Sequence, residues 1–243
     1  LTLNNVNWAG NLANTSATYL SLSSAGTCTL SIQNSTWSTN LGTVDASALT
    51  ISNEDKTPLV LQLSQVTFRA NVGPATFILG LTSTAAAHID IHGLDLQNNL
   101  GNSILAFQHL GVGSVNCSLT GLRSQNDSHA DGQATDGDVV VYLYSSPDFT
   151  FDLTASDWIV TDTVNQGAAL LYLTSANISD VRFDRIGKLA IEIDATDWVV
   201  LDTLQFHNNT GPVITGNITD QTRHRPDLID LPTTPNSILN ATY

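Results

Sequence analysis

The sequence predicts an all-β fold, a parallel solenoid of about eight coils. Three observations predict it. A spaced apolar pattern recurs along the chain, a third apolar segment follows most copies, and asparagines recur at one turn position. Composition agrees. The 243 residues are 42% hydrophobic, enough to bury a core, but only 12% charged. Ser, Thr and Asn fill the gap, which suits strands and turns better than surface helices.

The pattern is clearest in "LVLQLSQVTF", residues 59 to 68. Leu61 and Leu63 alternate, two polar residues follow, and alternation resumes at Val66 and Phe68. Eight copies begin at residues 1, 30, 61, 89, 117, 151, 176 and 199, spaced by 23 to 34 residues. Unequal repeats of this length point to a solenoid with loop insertions. Each copy reads as a short strand, a two-residue bend and a second short strand. Period-two alternation sends four side chains to one inner face. Polar pairs such as Asn4-Asn5, Gln33-Asn34, Ser64-Gln65 and Asp202-Thr203 occupy the bend, and Asn tolerates the left-handed backbone a sharp bend requires.

The third segments include "ATFILGL", "SILAF", "VVVYLY", "AALLYL" and "LAIEI". Asn11, Asn40, Asn71, Asn99 and Asn209 each lie three residues after the last inward position of a copy. That placement predicts a ladder in which each amide bonds to the next coil. At one strand spacing per coil, eight coils make a rod about 40 Å long.

With the turn phrases "NVGPA", "NLGNS" and "NTGPV", residues 1–219 resemble right-handed parallel β-helix repeat proteins. These include pectin-lyase-like enzymes, phage tailspikes and autotransporter-type surface adhesins. The turns are most similar to those of the adhesin-type repeats. The resemblance implies a right-handed parallel β-helix over 1–219, but this architecture hosts both enzymes and structural proteins. Residues 220–243 leave the pattern and contain Pro226, Pro232 and Pro235 while keeping "DLIDL" and "SIL". They read as an extended tail that caps the last coil or docks on another subunit.

Charge excludes some functions. The net charge is −14, with only eight Lys and Arg, so nucleic-acid backbones and anionic membranes are poor partners. The most apolar runs are too polar for a bilayer helix, so no membrane insertion is expected. Cys28 and Cys117 lie about three coils, or 14 Å, apart by strand spacing, too far for a disulfide. Two cysteines give no zinc spacing, and no metal or cofactor is expected.

Enzymes of the resembling group act on acidic polysaccharides with carboxylates or with a base beside calcium. Their signatures resemble Asn-Thr-Asp, Asp-Asp, Gly-His-Gly and Arg-Ile-Lys, and none occurs here. No residue is assigned a catalytic role. Outward positions Asp95, Arg123, Asp157, Arg182 and Gln205 read as a charge ladder between coils. Trp8, Trp37, Phe68, Trp158, Phe183 and Phe206 read as an inner aromatic stack at one repeat position. In the loop 127–138, Asp127, Asp131, Asp136 and Asp138 are calcium-ligand types, but their spacing fits no EF-hand. His129 in this loop, and His88, His92, His109 and His207, share no recognisable column.

Eight Asn-x-Ser/Thr sequons occur, at Asn14, Asn34, Asn116, Asn126, Asn177, Asn208, Asn217 and Asn240. None falls on an inward position, so each is free to carry a glycan. The sequence therefore predicts an extracellular or cell-surface structural or adhesive β-helix glycoprotein. Its expected partners are copies of itself, head to tail, or flanking domains of a longer chain. The rival expectation is a polysaccharide-binding or polysaccharide-degrading pectin-lyase-like protein.

Overall fold

The computed structural model of the chain describes residues 1–13, 16–42, 47–127, 139–218, 229–230 and 238–241. Every regular element among them is a strand, and every strand pairing is parallel. The protein is an all-β parallel solenoid.

Corresponding strands of successive coils lie side by side. The motif segments Leu59–Arg69, Ala87–Gln97, Val115–Gln125 and Phe151–Thr163 pair in that order. The third segments Ser16–Leu22, Ser47–Asn53, Ala75–Leu81, Ser103–His109 and Val139–Ser145 form a second column. In the later coils the third segment runs on into the next motif, giving the long strands Gln166–Ile186 and Ile191–His207. The connection has shortened. Residues 110–114 link the two segments in an earlier coil, whereas Tyr172, at φ 57°, makes the whole corner in a later one.

The bend reading is met at the expected residues in seven of the eight copies, and in the sixth the bend lies two residues later, at Asp157. The second bend residues Asn5, Asn34, Gln65, Gly93, Gly121, Asp157, Asp180 and Thr203 all have positive φ. A left-handed residue turns the strand sharply without breaking the parallel ladder, and Asn, Asp and Gly bear that conformation best. A second left-handed column closes each motif, at Gly10, Thr39, Ala70, Asn98, Asn126, Asp162, Arg185 and Asn208.

The predicted inward residues form the core. Leu61, Leu63, Val66 and Phe68 are buried, as are their partners Ile89, Ile91, Leu94 and Leu96. In the first copy, Leu3 and Trp8 pack against the core but Leu1 is 64% exposed. Side chains of that coil have a neighbour on one side only among the described residues.

The sixth copy is shifted from the expected register. Cys117 pairs with Leu153 and Leu119 with Ala155, so the inward residues are Leu153, Ala155, Trp158 and Val160. The expected set put Ser156 inside, whereas it lies on the bend beside Asp157. Alignment on aromatic residues caused the slip of two. Trp158 is buried, but it occupies the place of Val181, while Val160 pairs with Phe183. It therefore leaves the predicted stack and donates its indole N–H to the Leu119 carbonyl at 2.8 Å. The stack is real in two separate pieces. Trp8, Trp37 and Phe68 stack at 5.6 and 5.4 Å, and Phe183 stacks on Phe206 at 5.8 Å.

The charge ladder changes with the register. Arg123 lies beside Ile159, which in turn lies beside Arg182. Arg123 instead reaches back to Asp157 on the bend, with 2.8 and 2.9 Å contacts to its two carboxylate oxygens.

The asparagine ladder forms and runs further than expected. The Asn11 amide donates to Asn40 Oδ1 at 2.8 Å, Asn40 to Asn71 at 2.9 Å, and Asn71 to Asn99 at 2.9 Å. Each acceptor oxygen also takes a backbone N–H from the coil before it. The second amide hydrogens of Asn40, Asn71 and Asn99 go to the carbonyls of Trp8, Trp37 and Phe68. The full capacity of each interior amide is thereby used inside the protein. Asn99 ends the run on Asp127, whose Oδ1 accepts its amide at 2.8 Å and its backbone N–H at 2.7 Å. Asn209 stands apart from this run, accepting from Ile186 N–H and donating to the Phe183 carbonyl.

Cys28 and Cys117 are unpaired, as the coil count requires. Burial first, and the nearby Asp90 charge second, push the Cys117 thiol up to about 12. Two pieces of the tail continue the parallel stacking. Ile229–Asp230 pairs with Leu204–Gln205, and Ile238–Ala241 with Thr215–Ile218. The rest of 220–243 lies outside the described residues.

Candidate functional site

The second strands and their bends form a polar groove of about 590 Å³ across the middle coils. Gln65, His92, Asp95, Gln97, Arg123, Gln125 and Asp157 supply its polar lining. Register explains the gathering. Asp95 and Arg123 are Cα partners, as are Gln97 and Gln125, so like positions of successive coils form rows along the groove. Gly93, at φ 72°, shapes one wall, because a Cβ there would collide with the Gln65 amide lying across it. A second depression on the same face of the first coils is lined by Asn5, Asn34, Thr36, Thr39 and Arg69.

Most polar groups in the groove hold one another. Arg123 spans both Asp157 oxygens and also donates to the Leu122 carbonyl at 3.0 Å. Gln97 donates to Asp95 Oδ2 at 2.8 Å. His92 Nδ1 lies 3.0 Å from Thr120 Oγ1. The arrangement offers hydrogen-bond donors and acceptors to an extended polar ligand. Sequence reading found Asp95, Arg123 and Asp157 but missed the Gln97 and Gln125 row. The available signal was that glutamine recurs just after the last inward position of adjacent copies.

The other ionic cluster lies in the later coils. Asp184 Oδ2 accepts from Arg182 at 3.0 Å and from Arg185 at 2.7 Å. Arg185 also clasps Asp162, and this contact holds the Asp162 carboxyl below its usual range. Both Asp162 and Arg185 occupy left-handed turn positions of adjacent coils, which brings them together.

The histidines are dispersed, as the sequence indicated. His88, His92 and His207 are exposed, whereas His109 is 1% exposed at the end of a third segment. His109 Nδ1 lies 2.9 Å from Ser145 Oγ, and Nε2 has no partner among the described residues. Burial lowers its pKa, opposed by the nearby Gly113 and Gly111 backbone. The pair resembles a base and nucleophile in chemistry only, because both residues are enclosed in the core.

Asp127 belongs to the ladder rather than to an ion-binding loop. It is fully buried, and Ser124 Oγ donates to its Oδ2 at 2.7 Å. Burial pushes its carboxyl up to about 6 against the opposing pull of bonds from Ser124, Asn99 and Gln125. His129, Asp131, Asp136 and Asp138 lie outside the described residues, which contain no group of three or more potential ligands placed to hold a metal. Among those residues no helix is long and apolar enough to cross a membrane.

The sequons fall on the outer surface wherever their side chains are described. Asn34 lies on the first bend, Asn126 and Asn208 on the second turn, and Asn116 and Asn177 on outward strand positions. All five are exposed. Asn14 lies outside the described residues. Asn217 and Asn240 lie in the paired strands Ile214–Ile218 and Ile238–Ala241, with side chains outside those described. No family model, curated protein or solved structure matches the chain.

Proposed function

We propose that the protein is an extracellular structural or adhesive glycoprotein built on a right-handed β-helix. One observation carries this reading. Five sequons spread over bends, turns and strands all point away from the core. Burial of their amides would have removed them as acceptors. In this reading the solenoid is a rigid spacer that displays sugar, and it associates end to end with copies of itself or with flanking domains. Neighbouring chains would extend the parallel ladder by strand addition. The protein has no catalytic role in this proposal and requires no cofactor.

The test is expression through a eukaryotic secretory route, followed by intact mass before and after enzymatic deglycosylation. The expected result is a mass loss that maps to Asn34, Asn126 and Asn208 first, because these lie at bends or turns. An unchanged mass would remove the glycoprotein from the proposal. Electron microscopy of the same material tests assembly, and deletion of residues 220–243 tests the tail as its joint.

A second reading has a specific observation in its favour. The groove holding Gln65, Asp95, Gln97, Arg123 and Gln125 is elongated and polar, features that suit an oligosaccharide. Binding of uncharged or acidic oligosaccharides that Gln97→Ala and Gln125→Ala both weaken would support a polysaccharide-binding protein. Glycan display on its own predicts no such binding.

A further inference from the structure

The outer face of the third segments is uncharged. Ser16–Leu22, Ser47–Asn53, Ala75–Leu81, Ser103–His109 and Val139–Ser145 contain no Asp, Glu, Lys or Arg, and neither do residues 166–173. The other faces do carry charge, at Asp90 and Asp152 on the first strands and at Asp95 and Arg123 on the second. Two outward rows cross the uncharged face in Cα register. One is Ile78, Ala106, Tyr142 and Ala169, and the other is Gly80, Gln108, Tyr144 and Leu171. Their strand neighbours Phe77, Leu79, Phe107 and Leu143 point into the core. The first row alternates large and small from coil to coil. Ala106 and Ala169 are each only 5% exposed because larger side chains stand on both sides of them. The relief is therefore shallow, which suits a flat partner surface and not a single inserted side chain.

Both rows are complementary to their own reversal. A two-fold axis parallel to the strands turns the rod end for end and sets each row against itself in the opposite order. In the first row Ile78 then faces Ala169 of the second copy, and Ala106 faces Tyr142. In the second row Gly80 faces Leu171, and Gln108 faces Tyr144, whose phenol is within the chemistry of an amide. Every large side chain meets a small one or a hydrogen-bonding partner, at the roughly 10 Å separation of packed sheets. One coil further out, Thr50 is the partner of Ile78 and Glu192 the partner of Ala169. The reversal sets each Glu192 carboxylate against a Thr50 hydroxyl. It also keeps the two Glu192 residues five coils, or about 24 Å, apart, well beyond the screening length of about 8 Å. The chain carries −14 and repels a second copy, so contact between copies is favoured where charge is absent. Six strands of seven residues cover about 1,300 Å² over the two copies, the lower end of a specific interface.

We infer that the third-segment face is a lateral interface between two antiparallel copies of this chain, with the Ile78–Ala169 row of one copy packed against the same row of the other. This contact is separate from end-to-end association, because it uses the side of the rod and closes at two chains. Asn217 is the partner of Asp194, one coil beyond the Glu192 row, so a glycan there would sit at the rim of the contact. The inference does not rest on the glycan reading and is tested on a chain without glycans.

The test is sedimentation velocity of the full chain, made without glycans, over a concentration series at about 0.15 M salt, where long-range repulsion is screened. A dimer with a dissociation constant in the micromolar range is expected for an interface of this size. Ile78→Ala removes a large side chain from the row, and Ala169→Ile sets two large side chains against each other. Each change occurs twice in a symmetric dimer and is expected to weaken it at least about tenfold. The double variant, Ile78→Ala with Ala169→Ile, exchanges large for small and is expected to recover most of that loss, since these two positions face each other only in the reversed register. His88→Ala, exposed on the first-strand face, is the control and is expected to leave the dimer unchanged. Matching unfolding midpoints across the set exclude an effect through folding. A chain still monomeric at about 1 mM would overturn the inference. Association that neither single substitution weakens would overturn it too, while leaving end-to-end assembly standing. A double variant no better than Ala169→Ile alone would overturn the antiparallel register.

Discussion

The early and late coils solve one problem in different ways. Each coil leaves backbone donors and carbonyls at its second turn, where the chain leaves the sheet. In the early coils, an unbroken line from Asn11 to Asn99 satisfies these groups, and Asp127 closes it. In the later coils the same place is held by Thr163, Ile186 and Asn209, and charge takes over outside it through Asp162, Arg185 and Asp184. Repeat length changes with it. Partners one coil apart are separated by 28 residues at His92 and Thr120 but by 23 at Ile186 and Asn209. An amide ladder needs the same side chain at the same place in every coil. Ion pairs between exposed side chains tolerate variation, but they contribute less.

The largest expected effect is therefore at the ladder's interior. Asn71→Ala severs bonds to Asn40, Asn99 and the Trp37 carbonyl in a fully enclosed place. Buried donors left without acceptors cost about 1–3 kcal/mol each, so a total loss of about 3–5 kcal/mol is expected in denaturant unfolding. Asn209→Ala removes only the contacts to Ile186 and Phe183 and should cost about 1–2 kcal/mol. Equal losses at the two sites would erase the distinction between the regions.

Asp127 sharpens the comparison through pH. Its carboxyl is raised from 3.8 to about 6 in the folded protein. Between these values the native state binds more protons than the unfolded chain, so this group lowers stability as pH rises through the interval. The stability it contributes is present below about pH 4 and lost by about pH 6, on the order of 2–3 kcal/mol. Asp127→Asn is expected to flatten that part of the stability profile. Unfolding midpoints measured across this range in both proteins give the answer, and parallel profiles would exclude Asp127 as the cause.

The smallest effect is expected at the late ionic cluster. Arg185 is half exposed and its pair with Asp162 is open to solvent, so Arg185→Gln should cost less than either ladder substitution, and less still as salt is added. A salt-independent loss of several kcal/mol would make this cluster the equal of the amide ladder.

The architecture was legible because two constraints repeat in the sequence. Alternation at Leu61, Leu63, Val66 and Phe68 fixes the inward face, and bend pairs such as Asn4-Asn5 fix the corner. The sixth copy shows which constraint is stronger. Trp158 looked like the equivalent of Phe68, but a large side chain fits several places in a continuous core. Asp157 has fewer places, because positive φ recurs only at the bend and at the turn that closes each motif. Alignment on the bend column would have assigned Leu153, Ala155, Trp158 and Val160 inward. The groove was partly legible as a row of outward charges. Its glutamine row and the clasp of Arg123 on Asp157 depend on side-chain reach across a bend, which spacing does not encode.

By itself the sequence determined the coil, its inward face, the recurring asparagine position and the outward placement of the sequons. These follow from local periods and from backbone preferences that each copy expresses alone. Only the tertiary structure decided where the asparagine line stops, that Asp127 turns inward to end it, and that Tyr142, Ala169 and Glu192 share a row. Those outcomes join residues from separate coils with unequal repeat lengths. They are fixed by parallel hydrogen-bond register and by the cost of leaving buried polar groups unpaired, and both exist only once the coils have stacked.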